Sequence, residues 1–224
     1  MSTTSSQLPP LAKSFFEGVT MKHAPDAKIV KKSESWLMKT IGWFLKPFNP
    51  DFMSAYITTL GKAIYVPEQF FQDDEVQCLN VLAHETQHII DYQENPAWFS
   101  LSYLFPQCLA VLSLFALFGF LNPWMFLFLF ALGFLAPLPA PFRYQFELRG
   151  YRVSILLGRV IYRYSPSEMN QIRDWIKKEM TTGSYYFAWP FPSKIDRDLH
   201  DESFIMEPRY QEILEFLRTH QRIV

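Results

Sequence analysis

The sequence predicts a mainly α-helical protein with a small β-sheet and an apolar helical hairpin long enough to enter a membrane. Three observations carry this. Apolar residues recur at helical spacing in several capped segments. Two short β-rich runs flank a glycine. No charged residue occurs between Glu94 and Arg143, a gap that no water-soluble core requires. The chain has 224 residues, enough for one ordinary domain, with 49% hydrophobic, 17% aromatic and 19% charged residues and a net charge of −1. That balance excludes a disordered chain and offers no field for a polyanion, so no nucleic-acid partner is expected. Glycine-rich phosphate loops are absent: Gly61-Lys62 lacks both the upstream glycine and the following Ser or Thr. Cys78 and Cys108 belong to no CxxC pair and read as unpaired buried thiols.

Along the chain, residues 1–50 read as a loose Ser/Thr-rich tail followed by a basic amphipathic segment. Seven lysines stand there against Glu17, Asp26 and Glu34, and Trp36, Leu37, Ile41, Trp43, Phe44 and Phe48 alternate with Lys32, Lys39 and Lys46. Such a helix either lies at a membrane surface or packs on its own domain; periodicity does not separate the two. Residues 51–96 form a catalytic core. Ala55–Thr59 and Lys62–Val66 read as a hairpin about Leu60-Gly61, and a helix over about 74–94 starts at Asp73-Asp74 with Glu75 in its first turn and stops at Asn95-Pro96. Residues 97–139 divide at Asn122-Pro123. As helices, the two arms would measure about 37 Å and about 25 Å, against a hydrocarbon core of roughly 30 Å. They are read as a transmembrane hairpin. Residues 140–224 complete the catalytic part: an arginine-rich helix from Arg143 to Tyr164, a shorter helix from Ser165-Pro166 to Gly183, a Pro/aromatic loop, and a last helix from Pro208.

The chemistry sits in His84-Glu85-Thr86-Gln87-His88. Spacing i, i+4 puts both imidazoles on one helix face, one turn apart, where they can reach a single Zn²⁺. Glu85, beside the first ligand, can take a proton from a water molecule at the metal. A catalytic site needs a third protein ligand, and two acids compete for the place. Glu147 lies early in the helix after the hairpin, with Gly150 offering a small face for close approach, and a hairpin returns that helix to the side it left. Glu94 follows His84 by ten residues, but the sharp turn which that offset requires would want glycine where Asp91 stands. Asp91 itself either orients an imidazole or is an ordinary helix-surface acid, the expectation for a solvated turn. His23, His200 and His220 have no ligand spacing and are expected in solvent.

A β-hairpin, HExxH on a helix, an apolar hairpin and a Glu-bearing helix together resemble the gluzincin metallopeptidases. The membrane-embedded group that includes CAAX prenyl proteases and the bacterial heat-shock membrane protease is most similar. The resemblance spans about residues 50–160 and rests on His84, Glu85, His88 and Glu147. It implies a zincin-like core, one zinc ion held by His84, His88 and Glu147, and Glu85 as general base. It also implies extended peptide pairing along the strand at Ala63–Val66. Two departures stand out. Tyr151 occupies the position four after the ligand Glu where that group has Asp, and Trp189-Pro190 is the nearest match to its late His-Pro element, leaving Tyr185, Tyr186, Arg197 and His200 as candidates for the oxyanion.

The expected function is therefore a membrane-anchored zinc metalloendopeptidase acting on protein or peptide substrates. The alternative is a non-enzymatic membrane protein with a structural or vestigial zinc site. Arg143, Arg149 and Arg152 flank the second arm, which by the positive-inside tendency places the catalytic part in the cytoplasm. Nothing in the sequence sets an oligomeric state.

Overall fold

The computed structural model describes residues 4–47, 49–182 and 188–220. They form two compact units that interleave along the chain: Met1–Pro96 with Arg149–Arg163 and Ser203–Val224, and Ala97–Leu148 with Tyr164–Glu202.

The first unit begins with α1 (Pro10–Phe15), a π-helical turn (Phe16–Thr20) and α2 (Met21–His23), then β1 (Lys28–Lys31) and α3 (Trp36–Leu45). β2 (Thr58–Leu60) and β3 (Ala63–Val66) follow, then α4 (Glu75–Glu94). Beyond the Ser/Thr-rich start the chain joins the core at once: Leu8, Leu11, Ala12, Phe15 and Phe16 are buried. Gly61 allows the tight β2–β3 turn by taking φ 61°, a left-handed conformation that a Cβ disfavours. β1 was not foreseen, because Ile29-Val30 between lysines is too short a run to stand out. It pairs parallel to β3, Ile29 opposite Ile64 and Val30 opposite Tyr65. A parallel pair needs a crossover, and α3 supplies it.

The strand order β1-β3-β2 makes β3 the middle strand. Both of its edges are taken, so the expectation that Ala63–Val66 receives a peptide is corrected: the outer edge beside α4 belongs to β2. Alternation sorts the sheet's faces. Val30, Ala63 and Tyr65 pack with Met38 of α3 and with Phe52. Ile29, Ile64 and Thr59 share the opposite face, where the Thr59 hydroxyl reaches Glu85 of α4 at 2.7 Å. The sheet thus lies between α3 and α4. α4 starts where the caps predict: Asp74 accepts from the amides of Val76 and Gln77 at 2.9 and 3.0 Å. Glu75 in turn accepts from Leu11 N at 2.6 Å, capping α1.

The second unit holds α5 (Pro96–Leu104, from Ala97 on), two 3₁₀ helices (Gln107–Phe118 and Pro123–Leu135), the first turns of α6 (Pro141–Val160), α7 (Pro166–Thr181) and α8 (Pro192–His200). α9 (Pro208–His220) returns the chain to the first unit. The expected continuous first arm over 97–121 is broken. α5 and the Gln107–Phe118 helix meet at 82°, at Pro106, whose ring cannot continue an α-helical ladder. Among the described residues no single helix is long and apolar enough to cross a membrane. The turn at Asn122 stands where expected, its side chain accepting from Trp124 N at 3.1 Å. The two 3₁₀ helices pack on each other, Phe115 against Phe128 at 5.3 Å, and their outer side chains, Leu117, Phe118, Trp124 and Phe130 among them, are exposed. α7 opens on a Ser165/Glu168 capping box. Of the predicted Pro/aromatic loop, Tyr185 and Tyr186 lie outside the described residues.

One buried charge in the first unit has a pH signature. The Lys32 ammonium is fully buried, donates to the Phe52 carbonyl at 2.7 Å and sits 3.8 Å from the Phe52 ring centroid. Burial pushes its pKa down from 10.5 to about 8, with the Glu85 charge pulling the other way. Between those values the unfolded chain holds the proton and the folded chain does not, so stability rises with pH across that window. Unfolding free energies measured from pH 8 to 10.5 should show wild type gaining on Lys32→Met as pH rises. Parallel curves would contradict the assignment.

Candidate metal centre

On α4, His84, His88 and Asp91 fall at i, i+4 and i+7, one stripe of the helix, and all three are buried. Against this stripe runs α6. Gly150 lies under the His84 ring so closely that a Cβ there would stand 2.5 Å from Cε1 and 2.6 Å from each ring nitrogen. Tyr151 meets the same ring edge-on, centroids 4.9 Å apart. Gly150 is therefore the small face that the sequence suggested, and Tyr151 packs the imidazole from beside it. Glu147 stands three residues before Gly150 on the same helix, on the same side. The donor atoms of His84, His88 and Glu147 all lie within 4.8 Å of one another, and the three residues are buried.

Asp91 is corrected from a surface acid to a buried fastener. Its Oδ1 accepts from Arg149 of α6 at 2.5 Å and from Arg209 of α9 at 2.9 Å. Arg209 also holds Glu94, 2.9 Å from its Nη2. Glu94, the rival third ligand, ends α4 exposed and ion-paired. Glu147 accepts from the Tyr103 hydroxyl at 2.6 Å. Tyr103 in turn is set by Arg143, which donates to its carbonyl at 3.0 Å and to Gln107 at 2.9 Å. Tyr103 was invisible in the sequence because the uncharged gap masks a polar anchor as one more aromatic.

Glu85 points off the histidine stripe toward the sheet, its Oε2 accepting from Thr59. Sequence reasoning missed Thr59 and Lys32; only the β2–α4 approach reveals their relation to Glu85. Of the other histidines, His23 is half-buried against Glu212, 2.7 Å away, which corrects its solvated reading. His200 is exposed, its Nδ1 2.8 Å from the Asp196 carbonyl. Arg197 is exposed beside Asp198. Both cysteines are unpaired: Cys78 is buried, its thiol donating to the Phe70 carbonyl at 3.2 Å and pushed up to about 11 by burial, while Cys108 is half-buried.

The donor set fits a metal ion. Two imidazoles and one carboxylate at close range, buried, are costly to gather without a cation, and their N and O donors are of the kind that hold a metal ion. No protein-family model, curated protein or solved structure matches the chain.

The close approach at Gly150 generates a test. A methyl group added there must displace the His84 ring. Gly150→Ala is expected to weaken binding of a divalent metal ion at this cluster by roughly 10- to 100-fold, the range for disturbing groups that orient a ligand, with helicity by circular dichroism retained. Competition against a chromophoric chelator measures it; wild-type affinity would refute the approach.

Proposed function

We propose that this protein is a membrane-anchored zinc metalloendopeptidase with its catalytic part on the cytoplasmic side. The observation that carries the reading is the buried His84, His88 and Glu147 cluster with Glu85 on the adjoining face of the same helix. The resemblance to the membrane-embedded gluzincins adds to it. A zinc ion bound there supplies Lewis acidity to a peptide carbonyl and acidity to a water molecule.

Everything else is done by the chain. Thr59 occupies one Glu85 oxygen, leaving the other for the attacking water, so the carboxylate is aimed before substrate arrives. Glu85 takes the water's proton as oxygen attacks the carbonyl carbon, then delivers it to the departing amine nitrogen. The peptide lies extended along the outer edge of β2, whose Thr59 is the residue bonded to that base. Asp91, through Arg149, holds α6 in the register that presents Gly150 and Glu147.

The membrane assignment is supported by the side chains the two 3₁₀ helices turn outward. At about 2.0 Å per residue the helices extend about 24 and 26 Å, each backbone satisfied by its own i→i+3 bonds. Arg143, Arg149 and Arg152 follow them closely, the pattern of a cytoplasmic flank.

Metal analysis of detergent-purified protein tests the centre. His84→Ala and Glu147→Ala should both lose zinc, and Glu94→Ala should keep it. Glu85→Gln should retain zinc and lose cleavage of an unfolded protein substrate by on the order of 10²–10⁴-fold, the scale of a missing general base. Stoichiometric zinc in Glu147→Ala would overturn the ligand set. Undiminished cleavage by Glu85→Gln would overturn the mechanism.

A further inference from the structure

Helix α3 leaves the sequence-level choice between packing and membrane contact, and the structure separates its two faces. At 100° per residue, Met38, Ile41, Gly42 and Leu45 form one side. Met38 and Gly42 are buried, and Ile41 and Leu45 join Met38 in the cluster with Val30 and Tyr65. The opposite side should be polar in a helix that faces water. Instead it carries Trp43, Trp36, Phe44 and Leu37, with the two tryptophans and Phe44 74%, 70% and 64% exposed for Trp36, Trp43 and Phe44 respectively. Lys39 and Lys46 lie together along one flank, both exposed, and no acid occurs on the helix. Among the described residues neither lysine takes part in an ion pair.

We propose that this outward face of α3 is a docking surface for a lipid bilayer bearing anionic headgroups, with the aromatic rings at the headgroup–acyl boundary and Lys39 and Lys46 against phosphate. Tryptophan is the side chain best suited to that boundary, having a broad apolar ring and one N–H donor. Lysine beside it keeps its ammonium at headgroup level while its stem stays apolar. A second copy of the chain fits less well. An antiparallel two-fold interface through this face would set the same two lysines of each copy on a shared rim, and in any pairing neither helix offers an acid to receive them. The inference rests on the surface of the first unit and is independent of the peptidase reading and of the apolar hairpin.

The full chain reconstituted in phosphatidylcholine–phosphatidylglycerol vesicles containing brominated phosphatidylcholine provides the test. The difference in emission between wild type and Trp36→Phe/Trp43→Phe isolates the two α3 tryptophans, and Trp124→Phe isolates a reporter on the hairpin. The α3 component should lose intensity in brominated vesicles. Lys39→Glu/Lys46→Glu should reduce that loss to its level in vesicles of phosphatidylcholine alone. An unquenched α3 component beside a quenched Trp124 component would overturn the proposal while leaving the hairpin in the membrane. An unquenched signal from both would overturn the two membrane assignments together. Loss of quenching accompanied by a doubled mass in detergent, abolished by Trp36→Ser/Trp43→Ser, would assign the face to contact between copies. Quenching unchanged by the lysine substitutions would overturn the headgroup contact.

Discussion

One buried carboxylate holds the first unit's geometry. Asp91 is nearly inaccessible and carries a charge that water cannot reach, so it must be met by cations. Arg149 and Arg209 meet it from two different helices, and their arrival fixes where α6 and α9 stand against α4. Once Arg149 is fixed, the next residue along α6 is Gly150, the only residue type that lets a helix come so near the His84 ring. Tyr151 then closes on the other side of the imidazole. Removing either arginine would strand part of this charge, which makes the network unforgiving to partial substitution and gives α6 a single register. Tyr210 of α9 ties into the same place, its hydroxyl 3.3 Å from the Arg149 carbonyl.

Much of this could be read in advance, and the division has a physical basis. The HExxH helix was legible because three local signals agree: an Asp cap, an acid in the first turn, and apolar residues at helical spacing. The β2–β3 turn was legible because Leu60-Gly61 interrupts two β-rich runs. β1 was not, since two apolar residues between lysines carry no pattern of their own, and only pairing with β3 makes the four a strand. The same blind spot left β3 looking like an edge strand, because strand order is a long-range property and β3 looked free until β1 claimed its other side. Asp91 was read as a surface acid because its partners lie 58 and 118 residues away. Local sequence cannot announce a counterion at that distance.

The apolar gap shows a second limit. Composition predicts that a segment avoids water, not how its backbone runs. Pro106 interrupts the first arm, and beyond it both arms wind as 3₁₀ helices. That winding lengthens each arm by about a third relative to an α-helix of the same residue count, at the cost of poorer hydrogen-bond geometry and eclipsed side chains at i and i+3. The exposed rings on both arms have no polar counterpart on the outer face. The outer face of both arms is therefore a continuous exposed apolar surface.

The excursion between the histidine helix and Glu147 spans the whole uncharged gap. Its base is built with specific contacts. Trp98 meets Phe142 at 5.3 Å and Phe99 meets Phe146 at 4.8 Å, while Arg143 binds the carbonyl of Tyr103 near the end of α5. These contacts pin the first turns of α6 and aim the Tyr103 hydroxyl at Glu147. Further along the same helix, Arg149 and Gly150 make the contacts with α4. Glu147 sits on the turn between these two sets of contacts, so its carboxylate is positioned from both directions along one rigid helix. Asn122, at the tip, takes part in neither set. The helix, and not the apolar arms, sets where the Glu147 carboxylate stands.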